Sequence, residues 1–152
     1  MNVQFQRTIE RFPQYMTELL KTAPVQFNQL KDIPKQGIYV YYENDKPIYA
    51  GRSKNLRQRL RQHYQQSSDH HSATFAFMVA KQDAKKRGYN LKGTRDTLQK
   101  EDAFSQVFAE AKSRVRNMKI QIIQVDDPVE QTLFEVYAAL ELKTEYNKWE
   151  TH

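Results

Sequence analysis

The sequence predicts an α/β fold of the α+β type, in which a small three-stranded antiparallel sheet is flanked by helices. Two tyrosine-rich, strand-like runs lie on either side of a turn between residues 37 and 50, and a third run covers residues 118–125. Before, between and after these runs, apolar residues recur at helical spacing. A chain of 152 residues that is 39% hydrophobic can bury the core of one such domain.

The first half of the chain predicts helix and then hairpin. Residues 3–21 predict one or two short helices, because apolar side chains keep close to helical spacing and Pro13 interrupts them. Residues 37–42 and 47–50 predict two paired strands, since the sequence Glu-Asn-Asp-Lys at 43–46 is typical of a turn.

Helices dominate the rest of the chain. Leu56 and Leu60 lie four residues apart on one face of a basic helix, and Ser53 is placed to cap that helix. Three more helices are predicted, at residues 73–88, 94–116 and 128–142.

Positive charge is concentrated in the middle of the chain. The 24 Lys and Arg residues exceed the 18 Asp and Glu residues by six, and the balance is +10 over residues 51–125 and −5 over residues 126–152. The densest stretch contains no acidic residue, and its basic side chains are Arg52, Lys54, Arg57, Arg59 and Arg61. Such a block is typical of a protein that binds a polyanion, and a solvated helix face has the same composition.

The composition excludes several classes of protein. The chain has no cysteine, so it has no disulfide and no thiol nucleophile, and a metal would need oxygen or imidazole ligands. No apolar run approaches the roughly 20 residues of a membrane-spanning helix, so no membrane partner is expected. The N-terminus, MNVQFQRTIERF, lacks the apolar core of a signal peptide, so we expect a cytoplasmic protein.

The hairpin and the basic helix carry the residues best suited to chemistry. Tyr39 and Tyr49 are ten residues apart, and a turn between them would place the two rings side by side on neighbouring strands. Arg59 and His63 are four residues apart, so they share one face of the helix. That face is expected to lie off the leucine stripe, where both side chains could reach a ligand.

These residues form an ordered set that resembles the GIY-YIG nucleases. The set comprises Gly37-Ile38-Tyr39, Tyr49-Ala50-Gly51, the run Arg52-Ser53-Lys54-Asn55-Leu56, and Arg59-Leu60 with His63. The superfamily includes homing endonucleases, some type II restriction enzymes and the incision subunit of bacterial nucleotide excision repair. The resemblance covers about residues 33–63 and 118–149 of a single domain and implies a metal-dependent endonuclease acting on DNA.

Two parts of the chain lie outside the resemblance. They are an N-terminal extension at residues 1–32 and a helical insertion at about residues 64–117. For the inserted helices at 73–116 we expect a role in recognition or in dimer contacts. The second triplet also reads Tyr-Ala-Gly instead of Tyr-Ile-Gly. A role in restriction, in repair or in the mobility of a genetic element remains open at this point.

The resemblance implies roles for the central residues of the site. A glutamate on the last helix and an asparagine twelve residues later fit Glu135 and Asn147, and Glu135 would hold one divalent cation, Mg²⁺ or another such as Mn²⁺. Arg59 would hold the scissile phosphate. Tyr39 would activate or order the water, Tyr49 would contact the phosphate or a metal-bound water, and either could be the base.

Other residues would support these. His63 would bind phosphate or assist proton transfer, and Asn147 would tie the C-terminal segment to the site. The expected nucleic-acid-binding residues are Arg52, Lys54, Arg57 and Arg61. No small-molecule cofactor is expected, and the protein could be a monomer or a homodimer.

The surroundings of Glu135 favour an open site. Ala138 and Ala139, three and four residues later, would leave space above the carboxylate. The apolar stripe of this helix is expected at Leu133, Val136, Tyr137 and Leu140.

Each feature also has a purely structural interpretation. Glu135 could be an ordinary surface residue, the two tyrosines could pack in the core, and His63 could be structural. The adjacent His70 and His71 are interpreted as part of a solvated loop. Two alternatives for the whole chain are a nucleic-acid-binding module without turnover and a structure-specific nuclease acting on branched DNA or on RNA.

Overall fold

The computed structural model describes residues 1–89, 91–94, 97–98 and 101–149. They form two compact units, Met1–Arg57 with Lys119–His152 and Gln58–Met118. In chain order the elements are α1 (Val3–Glu10), α2 (Phe12–Leu20), a 3₁₀ turn (Phe27–Gln29), β1 (Gly37–Glu43), β2 (Lys46–Ser53), α3 (Leu56–Tyr64), α4 (Thr74–Lys86), α5 (Asp102–Arg116), β3 (Lys119–Gln124) and α6 (Pro128–Glu141). Among the described helices, none has the length and apolarity needed to cross a membrane.

The first unit contains the predicted three-stranded antiparallel sheet, in the order β2-β1-β3. Asn44 and Asp45 both have positive φ, 51° and 60°, between the paired residues Glu43 and Lys46. This two-residue turn matches the right-handed twist of the strands that it joins. The predicted hairpin is therefore confirmed.

A β-bulge at Ile48 sets which side chains share a face of the sheet. Near the turn Tyr42 lies opposite Pro47, but beyond it Tyr41 lies opposite Tyr49, so Ile48 has no partner of its own. Residues that lie opposite each other point to the same side, and a slip of one residue reverses that side. The bulge therefore places Tyr49 on the face of β1 that carries Tyr41.

The other face of the sheet carries the core of the first unit. Ile38 and Val40 of β1, Ala50 of β2, and Ile123 and Val125 at β3 are buried there with apolar residues from the helices. The helical contributors are Phe12, Tyr15 and Leu19 of α2 and Phe134, Ala138 and Ala139 of α6. The N-terminal segment is therefore built into the core of this unit, and Pro13 lies in the first turn of α2, where a proline costs no hydrogen bond.

The buried face of α6 differs from the predicted one. Phe134, Ala138 and Ala139 are buried, whereas Leu140 is 63% exposed. The two alanines have small side chains, so this face of the helix can approach the sheet closely. Of the expected stripe, Leu133 and Tyr137 pack against the core as partly buried residues, but Leu140 does not. The open space expected above Ala138 and Ala139 is wrong, because both alanines are buried.

The second unit has its own aromatic core. Phe77 of α4 makes edge contacts with Phe104 and Phe108 of α5, with ring centroids 5.4 and 5.6 Å apart. His70 is also buried, 3.8 Å from the ring of His71 and 5.9 Å from that of Phe77, so the prediction that this residue is solvated is wrong.

Only the second part of the helix predicted at 94–116 is confirmed. Residues 97–98 are helical, but Glu101 is extended and separates them from α5, which starts at Asp102. Four residues of the predicted helix, at 95–96 and 99–100, lie outside the described residues.

Candidate active site

Four of the six predicted catalytic residues belong to, or contact, a short part of β2, the segment Tyr49–Arg52. Tyr49 lies beside Tyr39 of β1, Ala50 is bonded to Asn147, and Arg52 is paired with Glu135. Because the segment is one extended piece of an edge strand, its side chains and its free backbone groups reach different parts of the first unit.

The two tyrosines form a small aromatic group on the face opposite the core. The ring centroids of Tyr39 and Tyr49 are 6.3 Å apart, and Tyr41 packs edge-on against Tyr39 at 5.8 Å. Tyr39 is buried, and Tyr49 is half-buried. Burial raises the pKa of Tyr41 far above its usual value, so that phenol stays neutral and serves as packing.

Two glycines are required by close contacts in this region. A Cβ on Gly51 would overlap the ring and hydroxyl of Tyr39, which lie directly over the glycine. A Cβ on Gly37 would overlap the carbonyl oxygen of Ile123 on β3. The first glycine therefore makes room for the tyrosine, and the second lets β1 and β3 approach each other.

Glu135 is the acidic residue of the site. Its Oε2 lies 3.2 Å from Nε of Arg52, and its side chain is 19% exposed against 44% for that of Arg52. Burial raises the pKa of Glu135 above its usual value, and the guanidinium charge opposes the rise. The carboxylate is thus partly withdrawn from water and already compensated by a positive group.

The donor set at Glu135 fits a weakly held magnesium-type cation. Within the described residues, no three His, Asp or Glu side chains are grouped so that they alone would hold a metal. Mg²⁺ commonly binds to one or two carboxylates and completes its octahedral shell with water and substrate phosphate oxygens. One partly accessible carboxylate is compatible with that mode.

Asn147 holds the C-terminal segment against the edge of the sheet. Ala50 donates its N–H to Oδ1 of Asn147 at 2.7 Å, and Nδ2 of Asn147 donates to the Ala50 carbonyl at 2.8 Å. Thr144 donates its hydroxyl to the same Oδ1, and Tyr146 donates its N–H to the Ile48 carbonyl. An amide side chain offers one donor and one acceptor in a plane, which matches an exposed strand edge.

Arg59 and His63 belong to the second unit. They share a face of α3 as expected, but His63 is fully buried and Arg59 is half-buried. Burial, followed by the positive charge of Arg59, lowers the pKa of His63 to about 3. The prediction that His63 points away from the core is therefore wrong, and the imidazole is neutral at pH 7.

Three exposed basic residues of the predicted nucleic-acid contact contrast with two arginines of the second unit that form ion pairs. Lys54, Arg57 and Arg61 are exposed, as a nucleic-acid contact requires. In the second unit, Arg87 is paired with Glu110 at 2.8 Å and Arg114 lies 3.5 Å from Asp83. These two arginines therefore have structural partners, and they are weaker candidates for phosphate contacts than Lys54, Arg57 and Arg61.

Two features of the site were not visible in the sequence. The Arg52–Glu135 pair joins residues that are 83 positions apart, and Arg52 looked like one of several equivalent basic residues. The bulge at Ile48 has no composition signal beyond a proline before it, which is typical of edge strands and bulges.

A comparison with protein-family models matches residues 35–148 to the GIY-YIG catalytic domain. The chain belongs to this family. Comparisons with curated proteins and with solved structures gave no match. The matched range contains β1, β2, β3 and α6 of the first unit and the whole range of the second unit. The helices α1 and α2 precede it.

Membership in the GIY-YIG family identifies a nuclease-type catalytic domain. Its two name-giving triplets are Gly37-Ile38-Tyr39 on β1 and Tyr49-Ala50-Gly51 on β2. In this chain the glycine of the second triplet accommodates the tyrosine of the first. GIY-YIG nucleases generally use divalent metal ions, which agrees with the donor chemistry of Glu135.

Proposed function

We propose that this protein is an endonuclease that hydrolyses phosphodiester bonds of DNA with one divalent cation. The observation that carries the proposal is the assembly of Tyr39, Tyr49, Glu135 and Asn147 around one segment of β2. The two tyrosines are far in sequence from Glu135 and Asn147, and a binding module without turnover has no need to bring a carboxylate and two phenols to the same strand.

Glu135 would hold the cation, Mg²⁺ in the first instance. A bound divalent cation stabilises the negative charge of the pentacoordinate transition state at phosphorus and lowers the pKa of a coordinated water. Glu135 lies on α6, and in the described structure Arg52 compensates the charge of its carboxylate.

Tyr39 and Tyr49 would order the attacking water and contact the phosphate. A free phenol has a pKa near 10 and is a weak base at pH 7, so either tyrosine needs a nearby positive charge to act as one. Tyr49 is the more accessible of the pair, and Tyr39 is held by its packing over Gly51. We assign the first contact with substrate to Tyr49 and leave the proton acceptor as either phenol.

Arg59 would hold the scissile phosphate with its guanidinium fork. His63 would act indirectly, because a neutral and buried imidazole cannot bind a phosphate as a cation. We propose that it helps to position Arg59. Asn147 would keep the edge of β2 in register while DNA binds.

The exposed basic residues would supply affinity for the backbone. Lys54, Arg57 and Arg61 are exposed, and Arg52 is nearly half exposed although it is paired. Contacts of this kind neutralise phosphates and release counterions, so DNA binding should weaken as salt rises.

Nicking of supercoiled plasmid DNA tests the proposed function. The wild-type protein should produce open-circular DNA with Mg²⁺ and none with EDTA. Arg59→Ala should slow nicking about a hundredfold or more, while Arg61→Ala, an exposed arginine on the same helix, should change mainly DNA affinity.

One outcome would contradict the proposed function, and a second would change the proposed substrate. Binding of DNA without nicking by the wild type, under any divalent cation, would favour a binding module. Cleavage confined to flap, loop or RNA substrates would replace plasmid DNA by a structured substrate and leave the site unchanged.

A further inference from the structure

The partner of Glu135 in the described structure is a side chain that can leave. The contact joins Nε of Arg52 to Oε2 of Glu135 at 3.2 Å, which is longer than the 2.6 Å between Arg11 and Glu130 in the same unit. Nearly half of the Arg52 side chain is in contact with water. The guanidinium can therefore swing into solvent without disturbing the buried core of the first unit.

Arg52 and a divalent cation would compete for the same group. A carboxylate that is four-fifths buried is stabilised by one positive charge close by, and Arg52 supplies that charge in the described residues. A cation bound at Glu135 would supply it instead, and two positive charges at contact distance repel each other. Binding of the cation at Glu135 therefore favours release of Arg52.

The released arginine has an obvious acceptor when DNA is present. Arg52 lies at the end of β2 beside the exposed Lys54 and Arg57, in the most basic stretch of the chain. A phosphate oxygen there would accept the guanidinium as the Glu135 carboxylate does.

We infer that Arg52 occupies the cation-binding carboxylate in the free protein and moves to a DNA phosphate when the cation binds. This inference rests on the proposed function, because it takes Glu135 to be the cation ligand. Linkage makes the effect reciprocal: DNA that captures Arg52 raises affinity for the cation, and the cation raises affinity for DNA by the same factor. Arg52 is then a positioning residue that couples the two binding events.

The coupling predicts a weak cation site in the protein without DNA. Each cation that binds must first displace Arg52, so removal of the arginine should strengthen cation binding even though it removes nothing from the coordination sphere. Partly exposed ion pairs have modest strength, so we expect about a two- to tenfold gain in affinity.

A titration of the full chain with Mn²⁺ in the absence of DNA tests this inference. Electron paramagnetic resonance measures the bound Mn²⁺ at each point. Arg52→Gln should bind Mn²⁺ about two- to tenfold more tightly than the wild type. Arg52→Lys keeps the positive charge and should resemble the wild type, so a gain in both variants would point to altered packing and overturn the inference.

A second arginine–glutamate pair in the same unit provides a matched control. Arg11→Gln breaks the pair with Glu130, removes the same charge and should leave Mn²⁺ affinity at the wild-type value. A gain in Arg11→Gln equal to that in Arg52→Gln would show a general charge effect and contradict the inference.

Glu135→Gln separates failure of the inference from failure of the proposed function. If Glu135→Gln abolishes Mn²⁺ binding and Arg52→Gln does not tighten it, the competition is wrong and the cation ligand stands. If Glu135→Gln binds Mn²⁺ like the wild type, Glu135 is not the ligand, and both the metal assignment and the inference fall.

Discussion

Gly51 and Tyr39 show how the two motif triplets depend on each other. The tyrosine of the first triplet lies over the glycine of the second, at a distance that leaves no room for a methyl group. A small residue at position 51 therefore sets where the Tyr39 ring can lie. Because Tyr39 in turn packs against Tyr49, the glycine acts on both phenols of the proposed site.

Gly51→Ala should reduce nicking strongly while the protein stays folded. The added methyl group displaces the Tyr39 ring and should cost about 1–3 kcal/mol of stability, as overpacking of a core typically does. Urea unfolding and plasmid nicking measure the two effects. In a Tyr39→Ala background the same change has room, so an equal loss of stability there would contradict the account.

Tyr15 and Glu130 form a second residue-scale feature, remote in function from the site. The Tyr15 hydroxyl donates to Oε2 of the buried Glu130 at 2.5 Å, and Arg11 lies 2.6 Å from Oε1. Burial, followed by the hydrogen bond to Glu130, raises the pKa of Tyr15 to about 12. The folded protein therefore keeps this proton at pH values where the unfolded chain, with a pKa near 10, has lost it.

Tyr15→Phe should lower stability by about 1–2 kcal/mol near pH 7, because a buried carboxylate loses a donor. The contribution of Tyr15 is fully present below pH 10 and is lost as pH rises from about 10 through about 12. The stability difference between wild type and Tyr15→Phe should therefore shrink across that range in urea unfolding. A difference that grows with pH would contradict the assigned direction of the pKa shift.

Sequence reasoning at the residue scale worked where a motif fixed the position. Asn147 was predicted to tie the C-terminal segment to the proposed site, and its paired hydrogen bonds attach that segment to Ala50 of β2. His63 was placed wrongly off the core, because helical spacing gives the angle between side chains and not which neighbours cover them. The Arg52–Glu135 pair depends on tertiary packing and has no local signal.

At the scale of elements, the bulge in β2 decides the geometry of the site. In a regular ladder Ile48 would pair with Tyr41. Tyr49 would then lie opposite Val40 and would point into the core of the first unit. With the bulge, both tyrosines occupy one face. Hairpin and turn were predictable from residue types, but a single unpaired residue leaves the alternation of a short strand almost unchanged.

The C-terminal segment completes the edge of β2, and Asn147 is its main attachment. Asn147→Ala should reduce nicking and increase hydrogen exchange at the Ala50 amide, since both hydrogen bonds to that residue are lost. Asn117→Ala, at an exposed asparagine of the second unit that donates to the Ser113 carbonyl, is the matched change. Unchanged exchange at Ala50 in Asn147→Ala would show that the attachment lies elsewhere.

Element boundaries were predicted well where they depend on residues that are close together in sequence. Asp127 caps α6 by accepting the N–H groups of Val129 and Glu130, as the sequence Asp-Asp-Pro indicated. The face that α6 buries was predicted only in part: Leu133 and Tyr137 pack against the core, but Leu140 is exposed and the two alanines are buried instead. Close helix–sheet packing favours small side chains, and this preference depends on the partner surface.

At the scale of the whole molecule, the chain forms two compact units, and the residues of the proposed site are distributed over both. The first unit holds the sheet, Glu135 and Asn147, and its core includes residues from the N-terminal helices. The second unit holds Arg59 and two helices with an aromatic core. The sequence predicted the sheet, but it treated the N-terminal 32 residues as an addition, because their core role appears only in tertiary contacts.

The second unit also presents lysines suited to a DNA backbone. Lys81, Lys85 and Lys86 of α4 are exposed, and among the described residues none forms an ion pair with them. Lys85→Glu with Lys86→Glu should weaken DNA binding and reduce the salt slope by about two. Lys21→Glu with Lys31→Glu makes the same charge change in the first unit, and an equal effect there would indicate a response to net charge alone.

The central claim is that Glu135 supplies the cation ligand of a DNA-cleaving site. Single-turnover nicking of supercoiled DNA at saturating protein and Mg²⁺ tests it most directly, with Glu135→Gln set against Glu141→Gln, an exposed glutamate on the same helix. Glu135→Gln should be about a hundredfold slower or more, with DNA affinity nearly unchanged, and Glu141→Gln should match the wild type. Nicking by Glu135→Gln at the wild-type rate would contradict the account.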